Sequence, residues 1–191
     1  MDIFQKRKKD ILSKLDKSHI GKWDDKIKKL CDRINASEKY YTTSSCSGRI
    51  ILMIDAEKKG KDLFVFVSHR KIFFEELKNE LGKAVKDNKK IKFKLEPCIL
   101  HVACENLKDA EEIYDKAKLA GWKKSGIVGV KNGYTAELNS TEKLEFPIIQ
   151  DKKILVSDGF LKIIVEEANK KLEKSWIKIE KLGTLLFSRE H

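Results

Sequence analysis

The hydrophobic period of the sequence changes near Tyr40, and this change limits the folds that the chain can adopt. Before Tyr40, apolar residues recur at helical spacing in residues 3–16 and 24–35, with a short polar connection, KSHIGKW, between them. After Tyr40, short β-branched apolar runs at residues 50–54 and 63–67 flank a polar turn. The sequence therefore predicts a pair of N-terminal helices that is followed by strands.

The remainder of the chain alternates between these two periods. In KIKFKLEP, residues 90–97, the apolar residues alternate strictly with lysines and Glu96, as in an edge strand. The same signals predict a helix at residues 73–85, a strand at 98–103, a helix at 107–120 that ends at Gly121, a hairpin of 127–130 with 134–138, and a final helix at 160–173.

This order of elements predicts an α+β fold, or alternatively an α/β fold, in which helices pack on a mixed β-sheet. The chain length is that of one domain, residues 1–191. No GxGxxG motif follows a strand, and GIVGVKNG matches only a fragment of that pattern. A standard Rossmann cofactor site is therefore not expected.

The formal net charge of +11 favours a polyanionic partner. Long-range attraction makes RNA the leading candidate, although the excess is mainly lysine, and a lysine-rich surface unrelated to nucleic acid is the alternative. No apolar run approaches membrane-spanning length, and the N-terminal residues lack the apolar block of a secretory signal. We therefore expect a cytoplasmic protein with no membrane partner.

The segment YYTTSSCSGR, residues 40–49, is typical of a strand that ends in a small polar turn. The glycine permits a backbone conformation that other residues resist, and the N–H groups of such a turn attract carboxylate or phosphate oxygens. The arginine can bind the same anion through two parallel hydrogen bonds, whereas the alternative is a polar loop with a surface arginine. The candidate binding residues are Ser45, Cys46, Ser47, Gly48 and Arg49.

Two histidines near predicted strand ends, His69 and His101, are candidate proton acceptors, because an imidazole titrates near neutral pH. A structural hydrogen bond is the competing explanation for each. Glu96, immediately before Pro97, is either a base or an anchor at the end of a strand.

The spacing of Cys98, His101 and Cys104 would suit a metal site on a helix. A strand is predicted here, since Pro97 precedes a run with β-prone Ile and Val. Side chains alternate along a strand, so His101 lies on the face opposite the two thiols. We therefore expect buried thiols and no metal.

Two further turns, GWKKSG and LNSTEKLEFP, contain small polar residues. Ser125 and Gly126 in the first, with Ser140 and Thr141 in the second, provide amides and hydroxyls of the kind that line phosphate or ribose sites. Trp122 is a candidate for stacking on a base. Ordinary loops are the alternative for both turns.

Six motifs together resemble the tRNA wybutosine-synthesizing methyltransferase family in an archaeal, single-domain form, and the resemblance covers most of the chain. TTSSCSGR is the most specific of the six. They are KSxxGxxD (Lys17 to Asp24), TTSSCSGR (Thr42 to Arg49), FVSH (Phe66 to His69), LEPxILHV (Leu95 to Val102), GWKKSGI (Gly121 to Ile127) and STEKLEFP (Ser140 to Pro147).

The resemblance implies S-adenosylmethionine-dependent methylation of the N-4 ring nitrogen of a wyosine intermediate, namely aminocarboxypropyl-demethylwyosine. This base derives from the guanosine just 3′ of the anticodon in tRNA-Phe. The resemblance also implies an unusual cofactor pocket. Combined with the residue patterns, it assigns proton transfer to His69, His101 or Glu96, and a carboxylate of the donor or of the base's aminocarboxypropyl arm to Ser45, Ser47 and Arg49.

Two other functions are compatible with the residue patterns. One is a non-catalytic RNA-binding module, in which the basic surface binds phosphate and no methyl donor binds. The other is a hydrolase with Cys46 as its nucleophile and one of the two histidines as its base.

Overall fold

The computed structural model describes residues 2–14, 24–56, 60, 63–130 and 133–187. Within these residues the chain forms five helices and nine strands. The helices are α1 (Ile3–Leu12), α2 (Asp25–Ala36), α3 (Phe74–Ala84), α4 (Leu107–Leu119) and α5 (Asp158–Phe187). The strands are β1 (Tyr40–Cys46), β2 (Arg49–Ile54), β3 (Phe64–Ser68), β4 (Ile91–Glu96), β5 (Ile99–Cys104), β6 (Gly126–Val130), β7 (Gly133–Asn139), β8 (Leu144–Gln150) and β9 (Lys153–Ile154).

The chain forms two compact units, each built from separate stretches of sequence. Unit 1 comprises Met1–Ser47, Cys98–Thr141 and Ser175–His191, and unit 2 comprises Gly48–Pro97 and Glu142–Lys174. Helix α5 thus contributes its first part to unit 2 and its last part to unit 1. The prediction of one domain over the whole chain stays a prediction.

Unit 1 contains a four-stranded antiparallel sheet in the order β1-β5-β7-β6. Helix α2 packs on it because its apolar residues recur every three or four positions and therefore share one face. The Asp24 side chain caps this helix by accepting a hydrogen bond from the Lys26 N–H group. The buried residues of α2 are Ile27, Leu30, Cys31 and Ile34.

The other elements of unit 1 complete this core. Helix α4 ends before Gly121, whose positive φ of 95° suits a residue without a Cβ atom. The core residues outside α2 include Leu100 and Val102 of β5, Ala110, Ile113 and Ala117 of α4, Trp122, and Ile179 and Leu182 of α5. A smaller apolar cluster contains Phe4, Tyr41 and Ala103.

Unit 2 contains a five-stranded sheet in the order β3-β2-β4-β8-β9, and each neighbouring pair is antiparallel. Alternation along β4 buries Ile91, Phe93 and Leu95 on one face. The Phe93 ring stacks on Phe146 of β8, which in turn meets Phe160 of α5 edge to face. These ring contacts join the first part of α5 to the sheet.

The structure confirms the α+β fold class and the N-terminal helix pair. It corrects three details. The single mixed sheet is wrong, because the described strands form two sheets with only antiparallel pairs. Strand β4 is not an edge strand but lies between β2 and β8. The final helix does not end at Glu173 but continues to Phe187, since Ile179 and Leu182 extend its buried face.

Candidate functional site

Three of the predicted residues lie at one end of the unit 2 sheet. Arg49 of β2 is paired with Glu96 of β4 in the strand register. On the other side of β2, Ile50 is paired with Ser68, the residue immediately before His69. The register therefore places His69, Arg49 and Glu96 at the same end of three neighbouring strands, with Arg49 on the central one.

The Arg49 side chain is held by a charge-assisted hydrogen bond. Its Nε–H donates to Glu96 Oε2 at 2.8 Å, and its guanidinium lies 5.2 Å from the centre of the Phe64 ring. The side chains of Arg49 and Glu96 are 27% and 30% exposed, so solvent reaches both. Among the described residues this is the guanidinium's one hydrogen bond, and its terminal nitrogens remain able to donate to an anion.

Glu96 also belongs to a row of alternating charges across the sheet. Lys94 Nζ lies 3.6 Å from Glu96 Oε1 and 3.8 Å from Glu145 Oε1. Glu145 in turn accepts from Lys143 Nζ at 2.9 Å. This hydrogen bond, with the positive charges of Lys94 and Lys92 close by, lowers the pKa of Glu145. The lysines of β4 therefore stabilise acidic side chains on the same face of the sheet.

In unit 1, the end of β1 is joined to the start of α2 through Asp24. The Ser47 N–H donates to Asp24 Oδ2 at 2.8 Å, while Asp24 Oδ1 accepts from the Lys26 N–H at 3.3 Å. One carboxylate thus caps a helix and also fixes the backbone of the hydroxyl-rich turn. The next residue, Gly48, has a φ of 98°, a conformation that favours glycine.

The side chains of this turn differ in their surroundings. Ser47 is fully buried, and its Oγ atom has no hydrogen-bond partner among the described residues. Ser45 hydrogen-bonds the Cys31 thiol, whose pKa burial raises to about 12. Cys46 is half-buried and paired with Ile99 of β5. The unsatisfied Ser47 hydroxyl is costly in a protein interior unless a ligand or water bonds to it.

His101 lies in the middle of β5, paired with Ser44 on one side and Glu137 on the other. Its carbonyl oxygen accepts from the Thr43 hydroxyl at 3.4 Å. Cys98 and Cys104 are buried in the core with the alternate residues of the strand, and burial raises the pKa of the Cys104 thiol to about 12. The prediction that His101 faces away from the two thiols is confirmed.

The turn at residues 121–126 has a structural role. The Ser125 hydroxyl donates to the Trp122 carbonyl at 2.7 Å and accepts from the Asn139 N–H at 3.2 Å. Gly126 begins β6. Trp122 is fully buried, and its indole N–H donates to the Lys178 carbonyl at 3.1 Å. The expectation that Trp122 stacks on a base is therefore wrong, because the core covers its ring.

The second turn lies at the end of β7. The Ser140 N–H donates to the Cys98 carbonyl at 3.1 Å, which ties this turn to the start of β5. Ser140 is buried and Thr141 is exposed. The binding roles predicted for Ser125, Gly126, Ser140 and Thr141 stay predictions.

Sequence reasoning assigned no role to Asp24, although this residue holds the hydroxyl-rich turn. Two signals could have found it. An aspartate directly before a helical apolar pattern is a typical N-cap, and Asp24 is the last residue of the KSxxGxxD motif. What the sequence does not contain is the contact with Ser47, which depends on how α2 and β1 come together.

No helix among the described residues is both long enough and apolar enough to cross a bilayer.

Comparison with known proteins gives the chain relatives over nearly its whole length. Residues 6–188 match the family model described as Methyltransferase TYW3. A tRNA wybutosine-synthesizing protein 3 homolog of Danio rerio is 37% identical over 97% of this chain and 75% of its own length. A tRNA(Phe) 7-((3-amino-3-carboxypropyl)-4-demethylwyosine(37)-N(4))-methyltransferase of Archaeoglobus fulgidus is 34% identical over 95% of this chain and 90% of its own length.

A solved structure shares the fold. The PH1069 protein from Pyrococcus horikoshii superposes with a TM-score of 0.86 and is 31% identical, with 95% of this chain and 92% of that chain covered.

Proposed function

This chain belongs to the Methyltransferase TYW3 family, and from that membership we propose that it methylates N-4 of the 7-(3-amino-3-carboxypropyl)-4-demethylwyosine base of tRNA-Phe. The observation that carries this proposal is the family match over residues 6–188. The Archaeoglobus relative, which this chain matches over 90% of the relative's length, supports the choice of base and ring nitrogen. The chain is a methyltransferase, and the donor and the roles of individual residues are the parts proposed here.

The proposed methyl donor is S-adenosylmethionine, which when bound supplies a methyl group on a positively charged sulfur. The residues of unit 1 fit a donor of this kind. Ser47 offers a buried hydroxyl with no partner among the described residues, and Asp24 holds the Ser47 backbone in place. With Ser45 and Cys46, these residues form the proposed donor-binding turn of unit 1.

In unit 2, Arg49 is proposed to bind a carboxylate, either that of the donor or that of the base's aminocarboxypropyl arm. The Nε bond to Glu96 fixes the plane of the guanidinium, so that its terminal nitrogens can donate two parallel hydrogen bonds to that carboxylate. Glu96 is then a positioning residue for Arg49. Its earlier assignment as a base is the alternative.

His69 is proposed to accept the proton that the ring nitrogen loses as it is methylated, with His101 as the alternative base. The strand register supports His69, because it lies at the end of the sheet that also carries Arg49 and Glu96. A histidine side chain is suited to this proton transfer, which typically contributes about 10² to 10⁴ in rate. Alignment of the two reactants lowers the remaining barrier.

The substrate tRNA is proposed to be attracted by the net charge of +11. Among polyanions, tRNA is the expected partner, because the name of the Archaeoglobus relative specifies tRNA(Phe). Cytoplasmic localisation is proposed on the same ground.

The decisive experiment supplies the purified protein with tRNA-Phe that carries the unmethylated intermediate and with methyl-labelled S-adenosylmethionine. After digestion to nucleosides, the label should appear in the methylated wyosine derivative alone. As a control, the same tRNA without the intermediate should acquire no label. Label in another nucleoside would overturn the proposed substrate, and no transfer with a bound donor would overturn the proposed reaction.

A further inference from the structure

Helices α2 and α5 run side by side in the same direction within unit 1. Lys26 Nζ lies 4.6 Å from the centre of the Trp176 ring near the start of α2. Further along, Leu30 lies against Gly183. Both contacts follow the same order along the two helices, so Trp176 lies beside the first turn of α2.

The strands bring the hydroxyl-rich turn to the same end of unit 1. Cys46 is paired with Ile99, and the neighbouring Cys98 thiol donates to the Ser175 carbonyl at 3.7 Å. Ser175 directly precedes Trp176, and Ser47 directly follows Cys46. The hydrogen bond from the Ser47 N–H to Asp24 independently places Ser47 near the start of α2.

This end of unit 1 holds two unsatisfied polar atoms. Ser47 Oγ and Trp176 Nε1 are the two buried side-chain atoms that lack a hydrogen-bond partner among the described residues. The other described tryptophan, Trp122, donates its indole N–H to the Lys178 carbonyl. Since buried donors in native proteins are nearly always satisfied, two such atoms at one end of a unit indicate an absent polar ligand.

The charges around these atoms define the chemistry of that ligand. An indole N–H only donates, a hydroxyl can donate, and the Lys26 ammonium beside the Trp176 ring adds positive charge, so an anionic group fits here. Asp24 uses two of its lone pairs for the Lys26 and Ser47 N–H groups, and its remaining lone pairs suit a cation. A carboxylate and an ammonium on one ligand describe an α-amino acid head group.

We propose that this end of unit 1 binds the amino acid head group of the methyl donor. The Trp176 indole N–H and the Ser47 hydroxyl donate to its carboxylate, Lys26 adds positive charge beside them, and Asp24 accepts from its ammonium. This inference rests on the proposed function, and it adds Trp176 and Lys26 to the site. Neither residue carries a sequence signal for this role.

The test uses two RNA-free ligands of the full-length protein that differ in the head group. S-Adenosylhomocysteine carries it, whereas 5′-methylthioadenosine keeps the adenosine and the thioether but lacks it. Isothermal titration should show that Trp176→Phe, which removes the N–H and keeps most of the ring, weakens S-adenosylhomocysteine binding by about five- to ten-fold. Affinity for 5′-methylthioadenosine should stay at the wild-type value.

Trp122→Phe is the matched control, because it removes an indole N–H that already has a protein acceptor. It should lower the melting temperature and leave both affinities unchanged. Lys26→Met changes an exposed side chain, so this variant still tests the head-group site if Trp176→Phe does not fold. It should weaken S-adenosylhomocysteine binding several-fold and again spare 5′-methylthioadenosine.

The outcomes separate this inference from the proposed function. If the wild-type protein binds S-adenosylhomocysteine but neither Trp176→Phe nor Lys26→Met changes that affinity, the head-group site is wrong and the donor stands. Equal loss for both ligands would also overturn it, since the defect would not concern the head group. If the wild-type protein binds neither ligand, the proposed donor itself is wrong.

Discussion

Arg49 and Glu96 are directly opposite each other in strands β2 and β4, and their side chains are joined by a 2.8 Å hydrogen bond from Nε to Oε2. The strand pairing brings the two side chains together, and the hydrogen bond then orients the guanidinium. A lysine at position 49 would keep the charge but could not bond Glu96 and a second carboxylate with the same fork.

We expect Arg49→Lys to raise the apparent KM by about ten-fold or more, because a charge-assisted two-pronged contact is lost. Steady-state kinetics with both substrates varied in turn will show which carboxylate Arg49 binds. Arg70→Lys is the matched control, since Arg70 makes its own paired contact with Glu76 in the same unit. Wild-type kinetics for Arg49→Lys would remove Arg49 from the site.

The two histidines should be separable by single-turnover rates with prebound tRNA. We expect His69→Ala to slow methyl transfer by about 10² or more, and His101→Ala to stay within about two-fold of the wild-type rate. The reverse result would transfer the role to His101. If both variants react normally, proton transfer to histidine is not part of the mechanism.

Asp24→Ser should separate helix capping from control of the turn. Serine also caps helices well, but its shorter side chain does not reach the Ser47 N–H, so donor affinity should fall by about five- to ten-fold. The buried Ser47 N–H then lacks its acceptor, so the melting temperature should fall as well, although the cap of α2 is kept. Affinity is measured by titration with S-adenosylhomocysteine.

The control for this variant is Asn106→Ala, which removes the N-cap of α4 in the same unit. It should destabilise the protein by about 1 kcal/mol and leave donor affinity unchanged. An Asp24→Ser variant that binds the donor normally would show that Asp24 caps α2 but has no part in donor binding.

The buried thiols predict how stability responds to alkaline pH. Burial raises the pKa of Cys31 to about 12 from an ordinary value near 9, so between these values the folded state keeps a proton that the unfolded state has lost. The contribution of Cys31 is therefore complete below pH 9 and declines as pH rises toward 12. Urea unfolding at pH 8, 9 and 10 should show a smaller decline for Cys31→Val than for the wild type. Equal declines would mean that the thiol ionises as easily in the folded state as in the unfolded one.

Local patterns predicted the elements that are defined by their own residues. The spacing of Ile27, Leu30 and Ile34 predicted α2, and Gly121 marked the end of α4. The alternation in KIKFKLEP predicted β4 and its buried face. In each case a residue's burial follows from its neighbours in sequence.

The errors concern partners that are remote in sequence. Strand β4 looked like an edge strand because its lysines suggested exposure, yet Lys92 is paired with Asp55 and Lys94 lies by Glu145. Trp122 looked available for stacking because its turn is polar, but its indole N–H bonds to Lys178 in another part of the chain. No local pattern contains these contacts.

The candidate site was predictable in its chemistry but not in its arrangement. The TTSSCSGR segment identified Ser47 and Arg49 from residue type alone. The bond from Ser47 to Asp24 and the unsatisfied Trp176 indole depend on how α2, β1 and α5 meet, and this is information that only the fold provides.

The last part of α5 has a consequence for biosynthesis. Ile179 and Leu182 fill the core that α2 begins, so a nascent chain that has not yet delivered them from the ribosome cannot close unit 1. Its early segments must wait, with their apolar faces uncovered, until the last part of α5 has been translated. A ribosome stalled before residue 179 should therefore hold a chain that proteases and chaperones recognise as unfinished.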